Sequence, residues 1–382
     1  MKRCILLVST ATRWLGTARM PRVLAKAGFD VALLTPRGSL AEKSRYVSHL
    51  GVLATETTPM AWLLSLVRMI DSVSPFMLVP CDEMAIRLLF SIALDPPPAL
   101  SPELRTRLTR LIEQSLGDPG LYEVSIDKTL LPAAAEAIGV SVPRYAIATD
   151  TASALEHAAR LGYPVVLKRR FGFAGEGVAI VNVPGDLAAD ARRLLCAHQL
   201  DLGEVRQPRL LVQKFISGPY HSQALVAIRG KPLASFAWER FVATQSLKGQ
   251  TSVLKFIDSP QTKTFSEALC RNLAMSGFFN VQFVLDENSG EAHLLEINRR
   301  IVTHMHLGER AGSDLGVALH DTLDGRARTS KSPHNDAGDT VVIFPREWLR
   351  DPASHHLERY PVDVPWDEPE LLAAMLAMRH ED

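Results

Sequence analysis

Cysteine is scarce in this chain, and its few copies are scattered. The four cysteines, Cys4, Cys81, Cys196 and Cys270, show neither the spacing of disulfide pairs nor the grouping of metal ligands. A disulfide-stapled scaffold and a structural zinc site both depend on such clusters, so neither class of protein is expected.

An excess of charge of either sign is also missing. Lysine plus arginine and aspartate plus glutamate each number 42, so the formal net charge is zero. A chain without an overall field is not drawn to nucleic acid or to a membrane surface, and we expect neither as a partner. Local basic patches would then serve the phosphates of a small ligand.

Long hydrophobic runs are absent, which excludes a membrane-spanning helix. Residues 1–9 contain an apolar stretch of only about five residues, too short for a secretory signal, and no small-residue cleavage site follows. We interpret this stretch as a first β-strand and expect a cytoplasmic protein. With 47% hydrophobic and 22% charged residues, the 382-residue chain has the composition of a globular protein of roughly two or three domains.

Predicted strands alternate with helices in the first third of the chain, as in a doubly wound parallel sheet. The strands are predicted at residues 4–9, 31–35 and 77–80, and the helices at residues 17–27, 61–70 and 102–115. Residues 9–12 and 81–83 follow strands at their carboxyl ends, where open sheets bind ligands. Helix capping explains the same residues equally simply.

Polar side chains recur on a predicted β-hairpin between residues 280 and 300. Two β-type runs are joined there by a Glu-Asn-Ser-Gly turn signal. Side chains two apart on a strand share a face, so Glu296 and Asn298 project together and Gln282 comes alongside. Three oxygen-bearing side chains suit a hard cation that carries nucleotide phosphates, and Arg300 extends the same face. An amphipathic hairpin with a polar outer face is the simpler interpretation.

A lysine and a glycine-rich loop form a second group. The predicted strand at residues 163–168 ends in Lys168, and Gly172, Gly175 and Gly177 follow before the next strand. Backbone N–H groups of such a loop approach phosphate oxygens, and the lysine adds a point charge. This is not a Walker loop, because no Gly-Lys-Ser/Thr follows and no helix opens behind it. Glycines that merely shape a hairpin are the alternative.

The order of these parts resembles the ATP-grasp superfamily. The matching segments are residues 127–129, 162–168, the glycine loop, and residues 211–218, 280–283 and 294–300. The Asn-Val-Gln-Phe and Glu-Ile-Asn elements are most similar to those of the carbamoyl-phosphate synthetase large subunit. The resemblance implies an α/β protein in which a doubly wound, parallel-sheet pre-ATP-grasp domain precedes a two-subdomain ATP-grasp fold.

These boundaries divide the chain into three parts. Residues 1–118 are expected to form the pre-ATP-grasp domain, residues 119–325 the ATP-grasp domain, and residues 326–382 an extension that packs on the core. Within the second part, residues 121–200 are predicted as the small nucleotide-lid subdomain and residues 201–325 as the metal-binding and catalytic subdomain.

The resemblance implies an ATP-dependent carboxylate–amine ligase. Such an enzyme activates a carboxylate as an acylphosphate for attack by an amine, and it releases ADP and phosphate. Its implied ligands are ATP with Mg²⁺, or with Mn²⁺ in its place, and a small carboxylate and amine; a homodimer is compatible with it. A carbamoyl- or carboxy-phosphate-forming enzyme and an ATP-binding regulatory pseudoenzyme stay open as alternatives.

The resemblance also implies roles for individual residues. The phosphates would contact Lys128, Lys168 and the loop glycines; the metal would be held by Gln282, Glu296 and Asn298; the catalytic residues would be Arg300 and Lys168. The adenine would contact the backbone of Gln213, Lys214, Phe215 and Ile216.

The chain departs from the family pattern at two places. Tyr220 and His221 stand where many relatives have an acidic ribose contact, so His221 is the candidate there. Arg299 replaces the usual proline of the last motif. Residues 240–252 and 303–306 are candidates for the pocket of the second substrate.

Overall fold

The computed structural model of this chain describes residues 2–53, 58–172, 177–196, 208–244, 249–326 and 340–378. These residues form sheets of four, six and four strands, with helices packed on each of them. Among the described helices, none combines the length and the apolar character needed to cross a bilayer.

The first sheet is parallel, with helices between its strands, as predicted. Its strands are β1 (Cys4–Val8), β2 (Asp30–Pro36), β3 (His49–Leu53) and β4 (Met77–Pro80), in the order β3-β2-β1-β4. The helices are α1 (Leu15–Ala27), α2 (Pro59–Val73), α3 (Glu83–Leu94) and α4 (Pro102–Leu116). β3 and α3 lie outside the predicted set. β3 is a short, largely exposed edge strand, and α3 is apolar on most sides, so neither has a clear period.

Asp82 closes the loop that follows β1. Its carboxylate accepts hydrogen bonds from the hydroxyls of Ser9 at 2.8 Å and Thr10 at 2.7 Å. It also accepts from the backbone N–H of Ala85 at 2.9 Å, which caps α3. Of the two interpretations of these residues, the structure therefore supports capping and loop closure.

Lys128 lies in a turn between two short helices, α5 (Tyr122–Ile126) and α6 (Leu131–Glu136). Asp127 breaks the helix, because its carboxylate accepts from the backbone N–H and the hydroxyl of Thr129, each at 2.7 Å. The Lys128 N–H donates to the carbonyl of Arg170 at 2.9 Å.

The small antiparallel sheet has the strand order β5-β8-β6-β7. Its elements are β5 (Tyr145–Ala148), α7 (Thr151–Leu161), β6 (Val165–Arg169), β7 (Val178–Val181), α8 (Pro184–Cys196) and β8 (Leu210–Lys214). The predicted division after residue 200 needs correction, because β8 pairs with both β5 and β6. Because β8 belongs to the small sheet, this subdomain ends after Lys214.

The large sheet is antiparallel, in the order β13-β12-β9-β10-β11-β14. Its elements are β9 (Tyr220–Ile228), β10 (Lys231–Ala243), β11 (Thr251–Ile257), α9 (Pro260–Asn272), β12 (Gly277–Leu285), β13 (Ala292–Asn298), α10 (Leu315–Leu323) and β14 (Thr340–Val342). The predicted hairpin is confirmed as β12 and β13, which place Gln282 opposite Glu296.

Residues 340–378 attach to both of the preceding parts. β14 extends the large sheet, and the helices α11 (Arg346–Arg350), α12 (His355–Arg359) and α13 (Pro369–Leu376) follow. Leu371 and Met375 of α13 are fully buried in the same apolar cluster as Ile5 and Leu7 of β1. This apolar contact ties the end of the chain to the first domain.

Arg299 joins the large sheet to the first domain. Its guanidinium donates to the Ser125 hydroxyl at 2.9 Å and to the Leu116 carbonyl at the end of α4, and it lies over the Phe90 ring. Only 3% of the residue is exposed, and burial lowers its pKa to about 10. The residue that departs from the family pattern is thus a structural anchor.

We expect Arg299→Met to destabilise the protein by roughly 2–3 kcal/mol, because two buried acceptors lose a charged donor. The catalytic groups should be untouched. Chemical denaturation measures the loss of unfolding free energy, and ATP turnover of the remaining folded protein should stay close to wild type. Unchanged stability would contradict the anchoring role.

Candidate active site

A deep cavity lies between the small and the large sheet, and four parts of the chain line it. The small sheet contributes Lys168, the large sheet contributes Glu296, the first domain contributes Trp14, and the C-terminal segment contributes Arg346. A site assembled from four sequence-distant parts is typical of ligand binding between domains.

The pairing of strands in the large sheet determines which side chains form the floor of this cavity. Glu296, Gln282, Ser222 and Trp238 lie side by side on β13, β12, β9 and β10. Because alternate residues share a face, the cavity face also includes Asn280 and Asn298 in the next row. The opposite face carries Phe279, Val281 and Phe283, which pack in one apolar cluster with residues of α9.

Two lysines converge on Glu296 from the small subdomain and the turn before it. The Lys128 ammonium lies 3.5 Å from a Glu296 oxygen and donates to the Gly172 carbonyl at 2.8 Å. The Lys168 ammonium donates to the Leu295 carbonyl at 3.3 Å. Burial lowers the pKa of Lys168 to about 8, Glu296 opposes this shift, and Lys128 adds to it. Both cations therefore stand where anionic phosphates would offset their mutual repulsion.

The three predicted metal ligands lie together on the cavity face. Asn298 donates from its amide to Glu296 at 3.3 Å, which leaves the amide oxygen as an acceptor. Burial acts to raise the pKa of Glu296, but Lys128 and Lys168 outweigh it, so the net shift is downward and the carboxylate is ionised. One carboxylate and two amide oxygens fit Mg²⁺, which prefers oxygen ligands. Within the described ranges, no cluster of three His, Cys, Asp or Glu residues offers another metal site.

Arg300 enters the cavity from the large sheet but is held by the first domain. Its Nε lies 3.5 Å from a carboxylate oxygen of Glu83 at the start of α3, and its guanidinium stands 4.9 Å from the centre of the Trp14 ring. Trp14 in turn donates from its indole to the Ile301 carbonyl at 3.1 Å. Among the described residues, the ion-pair partner of Arg300 is therefore Glu83.

Residues 213–216, which are predicted to contact the adenine and which we call the hinge, line the cavity, but only part of their backbone is available for a ligand. The N–H of Lys214 donates to the Arg144 carbonyl at 2.8 Å, and the N–H of Phe215 donates to the Pro164 carbonyl at 3.2 Å. In the described part of the chain, no backbone carbonyl accepts from the N–H of Ile216. Ile216 is therefore the member of the hinge best suited to donate to an adenine ring.

The side chains of the hinge residues make contacts within the protein. The Lys214 ammonium donates to the carbonyls of Gly162 at 2.9 Å and Tyr163 at 3.2 Å. Gln213 is 2% exposed and lines the cavity beside β6. These contacts hold the wall of the cavity in place.

Two residues that were predicted to contact the nucleotide, His221 and Gly175, are not among the described residues that line the cavity. His221 is not on the cavity face: it lies one residue from Tyr220 and Ser222, which line the cavity, and pairs at 3.5 Å with Glu239. The ribose contact at His221 stays a prediction that the strand geometry does not favour, because successive residues of a strand face opposite sides. Gly172 and Gly177 line the cavity, whereas Gly175 lies outside the described residues.

Several cavity residues were not predicted as contacts. Asn280 lies two residues before Gln282, so the alternation of the strand already placed it on the same face. Trp14, Trp238 and Arg346 carry no sequence signal, because distant segments bring them to the site. Of the candidate segment 303–306, Thr303 and His304 line the cavity, but the ring of His306 contacts Asp363 at 2.7 Å instead.

Residues 127–319 match the family model described as the carbamoyl-phosphate synthase L chain, ATP binding domain. The match covers about half of the chain, and the chain belongs to this family. The predicted membership of the ATP-grasp superfamily is thereby confirmed, as is the predicted fold.

A curated relative is the arginine-specific large chain of carbamoyl phosphate synthase from Cutaneotrichosporon cutaneum. It is 26% identical over an alignment of 215 residues, and the alignment covers 53% of this chain and 17% of that protein. The chain thus spans about a fifth of the length of the curated relatives it matches.

Two solved structures share the fold over most of the chain. The biotin carboxylase domain dimer of 2-oxoglutarate carboxylase from Hydrogenobacter thermophilus, with MgADP and bicarbonate, has a TM-score of 0.64 at 19% identity and covers 87% of this chain and 72% of that chain. The L-amino acid ligase from Bacillus licheniformis has a TM-score of 0.56 at 14% identity and covers 84% and 74%.

Proposed function

We propose that this protein is an ATP-dependent carboxylate–amine ligase. The observation that carries the proposal is the charge arrangement of the cavity. Within the described lining, Glu296 is the only acidic residue, and Lys128, Lys168 and Arg300 all act on its pKa. One carboxylate among converging cations suits a magnesium-bound triphosphate, and catalysis of phosphoryl transfer is mostly positioning and charge neutralisation.

Nucleotide binding would use both sides of the cavity. The N–H of Ile216 would donate to the adenine edge, with Val166 and Val284 lining the cavity near it. Lys128 and Lys168 would contact phosphate oxygens, together with the described loop glycines. Gln282, Glu296 and Asn298 would hold Mg²⁺, which supplies charge neutralisation at the phosphates.

The reaction would run in two steps. A substrate carboxylate oxygen attacks the terminal phosphorus of ATP, and the bond to ADP breaks. The amine nitrogen then bonds to the acyl carbon while phosphate leaves with the electron pair of the C–O bond and takes up the proton lost by the amine. Arg300 would stabilise the negative charge of both steps, because its guanidinium is positioned before ATP arrives.

The cavity extends beyond the proposed metal ligands. Trp14, Trp238 and Arg346 line a space for an organic substrate, which bicarbonate alone would leave unused. The retained charged residues weigh against a pseudoenzyme. A cytoplasmic location, a homodimer, Mn²⁺ as an alternative metal and the absence of nucleic-acid and membrane partners stay predictions.

Hydroxylamine trapping tests the proposal directly. The protein is incubated with ATP, Mg²⁺, hydroxylamine and pools of small carboxylates and amino acids, and both ADP and hydroxamate are measured. We expect one pool to give both products in equal amounts, because hydroxylamine attacks an acylphosphate. ADP release with bicarbonate alone would favour the carboxy-phosphate alternative, and no ADP release from any pool would contradict a ligase.

Lys168→Ala is expected to weaken ATP binding ten- to a hundredfold, a loss of roughly 1.5–3 kcal/mol, because a charge-assisted phosphate contact disappears. Since the pKa of Lys168 is about 8, wild-type affinity should also fall as the pH rises through that value, and the variant should lack this fall. Calorimetry with ADP from pH 7 to pH 9 measures both effects.

Lys255→Ala is the matched control, because Lys255 is an exposed lysine on β11 away from the cavity lining. It should bind ADP like the wild type at every pH. Equal affinities of Lys168→Ala and the wild type would remove the phosphate contact from the proposal.

A further inference from the structure

Two segments at the proposed phosphate site are hydrogen-bonded to each other. One is the turn at residues 127–129, and the other is the start of the glycine-rich loop at residues 170–172. We call these two segments together the loop clamp. The N–H of Lys128 donates to the Arg170 carbonyl at 2.9 Å, and the Lys128 ammonium donates to the Gly172 carbonyl at 2.8 Å. Lys128 and Gly172 both line the cavity.

A buried ion pair joins the same two segments outside the cavity. The Arg170 guanidinium lies 2.6 Å from one carboxylate oxygen of Asp127, and its Nε donates to that oxygen at 2.7 Å. Asp127 is fully buried, and Arg170 is only 5% exposed. The guanidinium also donates to Glu123 of α5 at 3.0 Å. Neither Arg170 nor Asp127 is among the described residues that line the cavity, so neither is placed to contact a nucleotide.

The second oxygen of Asp127 shapes the turn that carries Lys128. It accepts from the backbone N–H and from the hydroxyl of Thr129, each at 2.7 Å. One oxygen of this carboxylate therefore serves the turn, and the other serves Arg170. Because a buried carboxylate is costly without a paired cation, the shape of the turn and the position of Lys128 depend on Arg170.

The start of the glycine-rich loop is held by further contacts. The Nε of Arg169 donates to the Phe171 carbonyl at 2.8 Å, and the N–H of Arg169 donates to the Gly177 carbonyl at 2.8 Å. The guanidinium groups of Arg170 and of Arg87 on α3 lie 5.2 Å and 5.0 Å from the centre of the Phe171 ring. Such cation–π contacts are attractive, so Arg170 holds the turn against an anchored loop start.

We propose that Arg170 is a positioning residue for phosphate binding, which acts through Lys128 and holds it in place against the start of the glycine-rich loop. This inference rests on the proposed function, because it takes Lys128 as a phosphate contact. If Arg170 acts through Lys128, it has nothing left to position once Lys128 is removed. The effects of the two residues on nucleotide affinity should therefore be strongly non-additive.

A double-mutant cycle on ADP binding tests this dependence. Calorimetry is performed on the wild type, on Lys128→Ala, on Arg170→Met and on the combined variant. Lys128→Ala should lower the affinity roughly ten- to a hundredfold, because a charge-assisted phosphate contact disappears. Arg170→Met should lower it about tenfold, and the combined variant should stay within about twofold of Lys128→Ala.

Adenosine distinguishes positioning from a general loss of structure, because it has no phosphate for Lys128 to contact. In an NMR titration, Arg170→Met should bind adenosine as the wild type does. Weakening of adenosine and ADP by the same factor would indicate a disturbed cavity and would overturn the inference. Arg192→Met is the control, because it removes an exposed arginine of α8 in the same subdomain, and it should change neither affinity.

Two more variants keep the test decisive if Arg170→Met folds poorly, since that change leaves Asp127 as an unpaired buried charge. Arg170→Met combined with Asp127→Asn removes both charges and keeps an oxygen that accepts from Thr129. It should fold and still bind ADP more weakly than the wild type, because the tie between turn and loop is lost. Arg170→Lys keeps the charge but not the forked donor, and it should recover part of the affinity.

Wild-type ADP affinity of Arg170→Met, or of its combination with Asp127→Asn, would overturn the inference. Losses that simply add when Arg170→Met is combined with Lys128→Ala would do the same. A wild-type protein that binds no ADP would refute the nucleotide site and the inference together. Normal ADP binding without hydroxamate formation would refute only the ligase.

Discussion

Glu296→Gln is expected to lower ATP turnover by about a thousandfold or more, which corresponds to about 4 kcal/mol of activation free energy. The substitution keeps the size and the hydrogen-bonding atoms of the side chain but removes the only full negative charge of the proposed metal ligands. It also leaves the ammonium groups of Lys128 and Lys168 without their counter-charge. The fold should persist, because Glu296 contributes no apolar packing.

The decisive measurement is the magnesium dependence of nucleotide binding. Without metal, the variant should bind ADP at least as well as the wild type, because one negative charge near the phosphates has gone. With metal, the gain in affinity seen for the wild type should be lost. Glu287→Gln makes the same change in the exposed turn of the same hairpin and should behave as wild type. Normal turnover of Glu296→Gln at saturating Mg²⁺ would disprove the metal assignment.

Arg300→Met is expected to reduce turnover at least a hundredfold, about 2.7 kcal/mol, with near-normal binding of ATP and magnesium. The guanidinium is held by Glu83 and Trp14 of the first domain, so its position does not depend on the nucleotide. An interaction made mainly in the transition state lowers kcat and kcat/KM together. The loss should therefore appear in the chemical step.

Calorimetry and single-turnover ADP formation on the same Arg300→Met preparation separate binding from chemistry. Parallel losses in both would indicate a residue that only shapes the nucleotide site. Arg299→Met provides the internal comparison, because the neighbouring arginine should affect unfolding free energy and not turnover. The two substitutions are chemically identical and one residue apart.

The local patterns of the chain predicted much of the nucleotide end of the site. Alternation along the hairpin placed Gln282, Glu296 and Asn298 on one face, and the structure pairs Gln282 with Glu296 as expected. Lys168 lies one residue before the end of β6, close to the predicted strand end, and lines the same cavity as that hairpin. These predictions worked because strand periodicity is a property of consecutive residues.

The remaining differences arise where local pattern does not determine position. His221 was assigned to the site, but a shift of one residue along β9 turns it to the opposite face. The turn at Lys128 depends on the side chain of Asp127, which accepts from the backbone N–H of Thr129. Arg346 and Trp14 reach the cavity only through tertiary packing of segments more than three hundred residues apart.

The segment that matches the family, residues 127–319, contains every residue assigned here to ATP and metal. Trp14, Glu83 and Arg346 lie outside it, yet Trp14 and Glu83 hold Arg300, and Trp14 and Arg346 line the cavity. The cavity is therefore built from the family segment and from the sequence on both sides of it. Proteins that share the ATP-binding segment can therefore differ in the shape and charge of this cavity through changes in the flanking sequence as well as within the segment.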